Sequence, residues 1–371
     1  MTSIIYVGMD VHKLSHTLCY YNPSTGEIST PNTINSDFKN ILKYLETVKR
    51  QVGENSEFIC GYEAGSLGYS LYHQLTKHGV KCVIIAPTTM PRYNKNKLKN
   101  DKSDSVKIAM ALAHNNYSPV FVPNDEDDAV KEYLRMRCDE KKALKKIKQQ
   151  IIALYTRHGL LFTDGRSHWT VKHLSWIKDL DLGNALLNET LKEYMILFNQ
   201  TSDKLTLYDL RIEEIANTKR YQESVKKLSC FLGIRTHTAL ALIVEVGDYK
   251  RFKKAKNFTA YLGLTPGEYS SGNTTRRTSI TKAGNSHLRR LLIEAAQCYN
   301  RGSGIQKSKA LLSRQSGNLP EVIAYADKAT MRLRKKFCRM FIQKSKINVI
   351  VTALARELAC FIWGMMTANF N

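Results

Sequence analysis

The stretch Ile4-Ile-Tyr-Val-Gly-Met-Asp-Val-His-Lys13 decides the fold. Its β-branched and aromatic residues Ile4, Ile5, Tyr6, Val7 and Val11 read as a buried strand, and Asp10 is a lone acid close to that strand's end. A carboxylate carried by an apolar strand must be paired, protonated or metal-bound, because burial strips the charge of its water. Glu63, Asp101 and Asp104 are the acids best placed to join it.

Working outward, residues 16–21 read as a second strand. The turn formers Asn22-Pro-Ser-Thr-Gly26 fold residues 27–30 back against it. Apolar Phe38, Ile41, Leu42, Leu45 and Val48 stand at helical spacing, with Ser36 or Asp37 available as N-cap, and predict a helix over 37–52. Residues 58–62 form a short strand ending at Glu63. A helix through His78 follows, then a strand over 80–86 stopped by Pro87. Strands alternating with single helices predict a mixed sheet covered by helices, its strand-end acids gathered at one edge. The next helix, over 102–113, opens with Asp101 and Asp104, three apart and so on one face.

The chain has 371 residues, 43% of them apolar, and a formal charge of +23, with 56 Lys and Arg against 33 Asp and Glu. That surplus favours a polyanionic partner, since binding one releases condensed counterions. Nucleic acid fits better than membrane: the apolar segment 349–366 is interrupted by Arg356 and Glu357, and no basic and then apolar leader opens the chain. Eight cysteines without a Cys-x-x-Cys pair read as reduced core thiols of an intracellular, cytoplasmic protein.

Pro119, Pro123 and the acidic run Asp125-Glu126-Asp127-Asp128 mark a boundary, so the expected division is 1–125, 126–225 and 226–371. Residues 129–155 lack Gly and Pro and carry Val130, Leu134, Leu144, Ile147, Ile151 and Leu154 at threes and fours, as an amphipathic or coiled-coil helix does. It reads either as a solvated spacer or as a dimerisation arm. Residues 184–220 are helical again. Residues 228–248 read helix, Gly-containing turn, helix; this is either a plain helical hairpin or a helix-hairpin-helix offering backbone N–H groups to DNA phosphate, with Arg235 where a second glycine is usual. Between 250 and 290 stand ten Lys and Arg and one acid, Glu268. Arg235, Lys253, Lys254, Arg276, Arg277, Lys282, Arg289 and Arg290 are the nucleic-acid-binding candidates. Residues 267–277 read as a polar, Gly-punctuated loop ahead of a helix beginning near Asn285. Residues 328–346 add eight basic residues and no acid, followed by the apolar helix over 349–366.

Four carboxylates brought within a few ångströms repel one another unless cations neutralise them, and an all-oxygen donor set suits Mg²⁺ or Mn²⁺. Two such ions about 4 Å apart can activate an attacking oxygen and stabilise a leaving one in phosphodiester chemistry. Asp10, Glu63, Asp101 and Asp104 on a basic chain therefore point to a ribonuclease-H-like nuclease core. An actin-like sugar kinase is set aside, because Asp10-Val-His-Lys13 lacks the glycine that lets backbone amides cradle phosphate.

The motifs Gly8-Met-Asp-Val-His-Lys13, Tyr62-Glu-Ala-Gly65, Lys99-Asn-Asp-Lys-Ser-Asp104, Tyr261-Leu-Gly-Leu-Thr-Pro266, Ser270-Ser-Gly272, Ile280-Thr-Lys-Ala-Gly-Asn285 and Leu288-Arg-Arg290 occur in that order. Together they resemble the DEDD transposases of the insertion-sequence one-ten family over nearly the whole chain. The resemblance implies an N-terminal RuvC-like (RNase-H-like) α/β domain with its tetrad on Asp10, Glu63, Asp101 and Asp104. It also implies a long helical middle and a mainly α C-terminal transposase domain whose nucleophile is Ser271, beside Ser270. It further implies recombination of donor and target double-stranded DNA, guided by a structured noncoding bridge RNA, by a homo-oligomer in which dimers assemble to a tetramer. Asn273 stands where glycine is common, and Ser103 and Ser105 replace the usual Arg and Ala. A serine hydroxyl needs a base or metal to become a competent nucleophile, so the implied Ser271 depends on the tetrad's ions. Tyr269 is the competing nucleophile. Arg276 and Arg277 could neutralise charge on a pentacoordinate phosphate or simply clamp a backbone. Two other readings remain open: a metal-only nuclease or Holliday-junction resolvase, and a non-catalytic nucleic-acid-binding protein.

Overall fold

In the computed structural model, Ile4–Val11 (β1) is an interior strand of a six-stranded mixed sheet. The structure describes residues 3–87, 101–271, 274–300 and 306–370; the side chains of residues 101, 102, 269–271 and 274–277 lie outside that description. The chain divides into two compact units, Met1–Val122 and Pro123–Asn371.

In the first unit β1 pairs antiparallel with Ser15–Asn22 (β2). The outer edge of β2 receives Glu27–Ile28 (β3) and Asn32–Asn35 (β4). β4 is not foreseen from the sequence, since Asn-Thr-Ile-Asn has no apolar alternation; it forms because β2 offers an unpaired edge. Pro31, which has no N–H to donate, falls between the two pieces of this arm. Phe38–Val52 (α1) starts at Asp37, whose carboxylate accepts from the Lys39 amide, and ends at Gly53 with φ +114°. Glu57–Glu63 (β5) lies parallel to β1, and Lys81–Ile85 (β6) lies parallel to β5. Between them Ser70–Lys77 (α2) starts later than its first apolar residue, beyond a turn through Gly68 at φ +62°. Asp101–Ala113 (α3) completes the unit.

Pleating divides the sheet cleanly. Ile5, Val7 and Met9 point to one face, where they join Leu18, Tyr20, Cys60, Tyr62 and Ile84 under α1 and α2. Tyr6 and Ile59 point to the other, where α3 supplies Ile108 and Leu112.

The second unit is mostly helical. Asp125–Arg157 (α4), Val171–Lys178 (α5) and Ala185–Ala216 (α6) come first. α4 has 33 residues, about 50 Å of helix. Its apolar stripe is occupied within the chain: Val130 and Leu134 pack with Ile212, and Ile151 and Leu154 with Leu191 and Phe198. The acidic start of α4 is buried at Asp127, which accepts hydrogen bonds from Arg220 and from the Tyr221 hydroxyl at 2.7 Å. Burial opposes the charge on Asp127, but bonds from Arg220, Tyr221 and Asn124 outweigh it, so its pKa is lowered. Next come Gln222–Ser229 (α7), Thr236–Val246 (α8) and Ala255–Tyr261 (α9). The segment 267–277 is not an open loop as the sequence reading expects: Pro266–Ser271 (β7) and Thr274–Ile280 (β8) pair as an antiparallel hairpin. Its glycines and charges hide the strand signal, and cross-strand pairing overrides them. Ser286–Ala296 (α10), Lys309–Gln315 (α11), Pro320–Ile342 (α12) and Ile347–Met366 (α13) close the unit. α13 is long and apolar enough to cross a membrane, but half its residues are buried in this core, among them Leu354, Leu358 and Ile362. All eight cysteines are unpaired thiols.

Candidate active site

The first candidate centre grows out of strand register. β1 and β5 run parallel with Met9 opposite Tyr62, so the next step sets Asp10 beside Glu63. Residues two apart share a face, so Asp10 projects on the side of Gly8, and Glu63 on the side of Gly61. That side faces α3: a Cβ on Gly8 would run into the Ser105 carbonyl and the Ala109 amide, and one on Gly61 would meet Leu112. Glycine at these positions lets the helix backbone press on the sheet. The helix direction then decides where its own acids lie. His114, just past the end of α3, stacks on Tyr21, the partner of Tyr6 near the start of β1. The opening turn of α3, with Asp101 and Asp104, therefore lies toward the end of β1 that carries Asp10. Backbone register and helix direction thus bring all four predicted acids to one end of the sheet.

Each described acid is partly exposed. Asp10 lies 3.3 Å from His12 Nε2, and Asp104 accepts from Lys107 Nζ at 2.7 Å. Glu63 sits at the β5 end opposite Ile85. Among the described residues no three His, Cys, Asp or Glu side chains are already gathered as a metal-binding group, and the Asp101 side chain lies outside them. The donor chemistry of the edge fits a hard divalent cation: carboxylate oxygens from three segments, partly open to water.

The second candidate centre is the β7–β8 hairpin. Ser271 pairs with Thr274 at its outermost described position, Ser270 with Thr275, Tyr269 with Arg276 and Glu268 with Arg277. The side chains of Tyr269, Ser270, Ser271, Arg276 and Arg277 lie outside the described residues. Gly263 and Gly284 have φ of +64° and +101°, and a Cβ on either would strike backbone of the opposing strand's root, at Ala283 or Tyr261. Backbone bonds Lys282 N to Gly263 O and Asn285 N to Tyr261 O, 3.1 and 3.0 Å, close the root.

The comparisons with known proteins decide the family. Residues 7–158 match the profile of the DEDD transposases of the IS110 group, described as Transposase, and residues 225–311 match the Transposase IS116/IS110/IS902 family. The chain is 33% identical over 347 residues, 92% of its length and 98% of the relative's, to the transposase for insertion sequence element IS1533 of Leptospira borgpetersenii. The chain belongs to the IS110 family of transposases. More distant relatives are the transposases for insertion sequence elements IS1111A of Coxiella burnetii and IS1328 of Yersinia enterocolitica. They are 25% and 24% identical over 80% and 83% of this chain, and 74% and 84% of their own. This IS110-family transposase is thus an insertion-sequence enzyme of DNA processing, and its mixed N-terminal sheet is that of an RNase-H-like DEDD domain.

The basic candidates of the transposase separate into two groups. Arg235, at the N-terminus of α8, and Lys253, Lys254 and Lys282 are exposed. Arg289 and Arg290 are tied into the fold: Arg289 donates to the Leu262 carbonyl at 2.9 Å, and Arg290 to Glu294 at 2.9 Å and to Cys138 Sγ at 3.5 Å. Sequence reasoning missed Glu245, the anchor of the hairpin root. Its side chain is 5% exposed and accepts from Arg135 at 2.9 and 3.1 Å and from Asn285 Nδ2 at 2.9 Å. Asn285 also caps α10 through the Leu288 amide, while the Tyr261 hydroxyl donates to the Glu245 carbonyl. The only sequence signal was Asn285 inside a quoted motif; its partners lie 40 residues and more upstream.

Proposed function

We propose that this transposase exchanges strands between donor and target DNA through a covalent 5′-phosphoserine intermediate, guided by a structured noncoding RNA of its element. Asp10, Glu63, Asp101 and Asp104 are the residues that would hold Mg²⁺ or Mn²⁺, which supplies a Lewis acid for phosphoryl chemistry. Ser271 Oγ forms a bond to phosphorus, the 3′ oxygen leaves with the electron pair, and the hydroxyl proton passes to a base or solvent. Attack of a partner strand's 3′ hydroxyl on the phosphoserine reverses the step and frees the enzyme, so no external energy is consumed. Exchange of two duplexes needs several active sites, hence an oligomer. With the α4 stripe occupied, Leu207 at 63% and Leu210 at 58%, two of the five large apolar residues α6 leaves exposed, are the candidates for pairing subunits.

The observation supporting this reading most is the convergence of acids from three sequence-distant segments on one end of the sheet. The test incubates purified protein, element-derived RNA, donor and target plasmids and Mg²⁺. Wild type joins the plasmids and leaves a protein–DNA adduct on denaturation. Ser271→Ala loses both adduct and joining, and Asp10→Asn lowers joining by about a thousandfold or more. Full joining by Ser271→Ala without adduct would instead establish a metal-only nuclease.

A further inference from the structure

α12 carries Lys328, Arg332, Lys335, Lys336 and Arg339 at spacings of four, seven, eight and eleven, so that they share one face of the helix. That face and Arg356 of α13 line a concave groove of about 1140 Å³. Glu357, the groove's one lining acid, is already engaged, accepting from Lys336 at 2.6 Å and from Arg332. Lys328, Lys335, Arg339 and Arg356 have no carboxylate within ion-pair distance among the described residues. Like charges crowded into one concavity repel, and a polyanion relieves that repulsion by releasing counterions.

The groove is not merely a charged face. Ile342, Trp363 and the small exposed parts of the otherwise buried Tyr325 and Phe361 contribute apolar and aromatic walls between the cations. The Trp363 indole is fixed by donating to the Phe252 carbonyl at 3.2 Å. A duplex presents phosphates and stacked interiors and has little to place against such walls; an unpaired base has an open π-face. Reading a ribose 2′-hydroxyl takes polar groups beside the backbone, and the wall between the cations offers mainly hydrocarbon.

We infer that the α12–α13 groove is a binding site for single-stranded DNA, with Lys328, Lys335, Arg339 and Arg356 on the phosphates and the aromatic wall against unstacked bases. The inference rests on the chain's being a transposase, which acts on DNA, and is independent of the serine mechanism. It is tested on full-length protein by fluorescence anisotropy with labelled oligo(dT), a duplex and oligo(rU) over a salt series. The variant combines Lys328→Gln, Lys335→Gln and Arg339→Gln, exposed positions that leave the Glu357 pairs intact. A second variant keeps the charges as Lys328→Arg, Lys335→Arg and Arg339→Lys.

The neutral variant is expected to bind oligo(dT) about tenfold more weakly or worse, with a log–log salt slope smaller by about 2, as three lost single-strand contacts require. The charge-preserving variant retains wild-type affinity, and duplex binding changes less than twofold. Unaltered oligo(dT) affinity in the neutral variant, an equal loss for duplex, or tighter wild-type binding of oligo(rU) than of oligo(dT) would each overturn the assignment. Adduct formation by Ser271 is read separately in the joining assay, so failure of one result leaves the other standing.

Discussion

In the N-terminal unit Asp10 and Glu63 ride on adjacent interior strands whose glycines let a helix backbone press against the sheet. In the C-terminal unit Ser271 lies at the outer end of a two-stranded hairpin tied down at its root. The first arrangement leaves no freedom, since a register slip of one residue would turn both acids to the opposite face. The second has freedom built in, because a two-stranded ribbon has little stability of its own and takes its position from whatever clamps its base. Asp10 and Glu63, among the acids proposed above to hold a metal, are carried by the sheet. The nucleophile proposed above is carried by the ribbon.

Substitutions can break that contrast. The largest expected effect is Gly8→Val, which drives a branched side chain into the α3 backbone at Ser105 and Ala109. It should destabilise the N-terminal unit by about 3 kcal/mol or more, read in a urea melt, and abolish joining with it. Gly284→Ala strains a residue at φ +101° and crowds the Tyr261 carbonyl. It should cost about 1–3 kcal/mol, while the protein stays folded and joining is lost. Global unfolding by Gly284→Ala would show that the hairpin root belongs to the core rather than to a separable clamp.

Glu245→Gln keeps the shape of the anchor and removes its charge, leaving Arg135 and Asn285 with a weaker acceptor. A loss of about 1–3 kcal/mol is expected from hydrogen bonds to a charged group, located in the C-terminal unit by hydrogen exchange of β7 and β8. Protection lost in the first unit's sheet instead would contradict the assignment.

Acid should sharpen the contrast further. Burial pushes the His237 imidazole down to about 4, with the nearby Arg137 adding to it. His173 and His287 in the same unit are also lowered by burial, against His16 in the first. A histidine lowered in the fold is neutral in both states above pH 6.5. As the pH falls below that value the unfolded chain takes the proton first, so stability is lost between about 6.5 and 4. For His237 alone the loss between pH 7 and pH 5 is about 2 kcal/mol, and it should vanish in His237→Gln. Equal acid weakening of the two units, followed by unit-specific hydrogen exchange, would remove this difference between them.

Much of the first unit was legible because its signals are local. The run from Ile4 to Val11, the turn at Asn22–Gly26 and the helix start at Asp37 each declare themselves within a few residues. β4 has no local signal because its pairing is supplied by β2, and the hairpin looks like a loop in sequence because its strand character comes from cross-strand contact. The α4 stripe was legible as a stripe, but periodicity does not say whether its partner is a second chain or, as here, α6 of the same one.

Sequence alone determined the basic charge, the spacing of the four acids, the Ser-Ser-Gly motif and the alternation of strands and helices, since these are properties of types and intervals along the chain. Only the tertiary structure decided that Gly8 and Gly61 bring α3 onto the acidic edge, that Glu245 clamps the hairpin root, and that Arg289 and Arg290 serve the fold. These depend on contacts between residues dozens to more than a hundred positions apart, and no local pattern encodes which distant group will fill a given space.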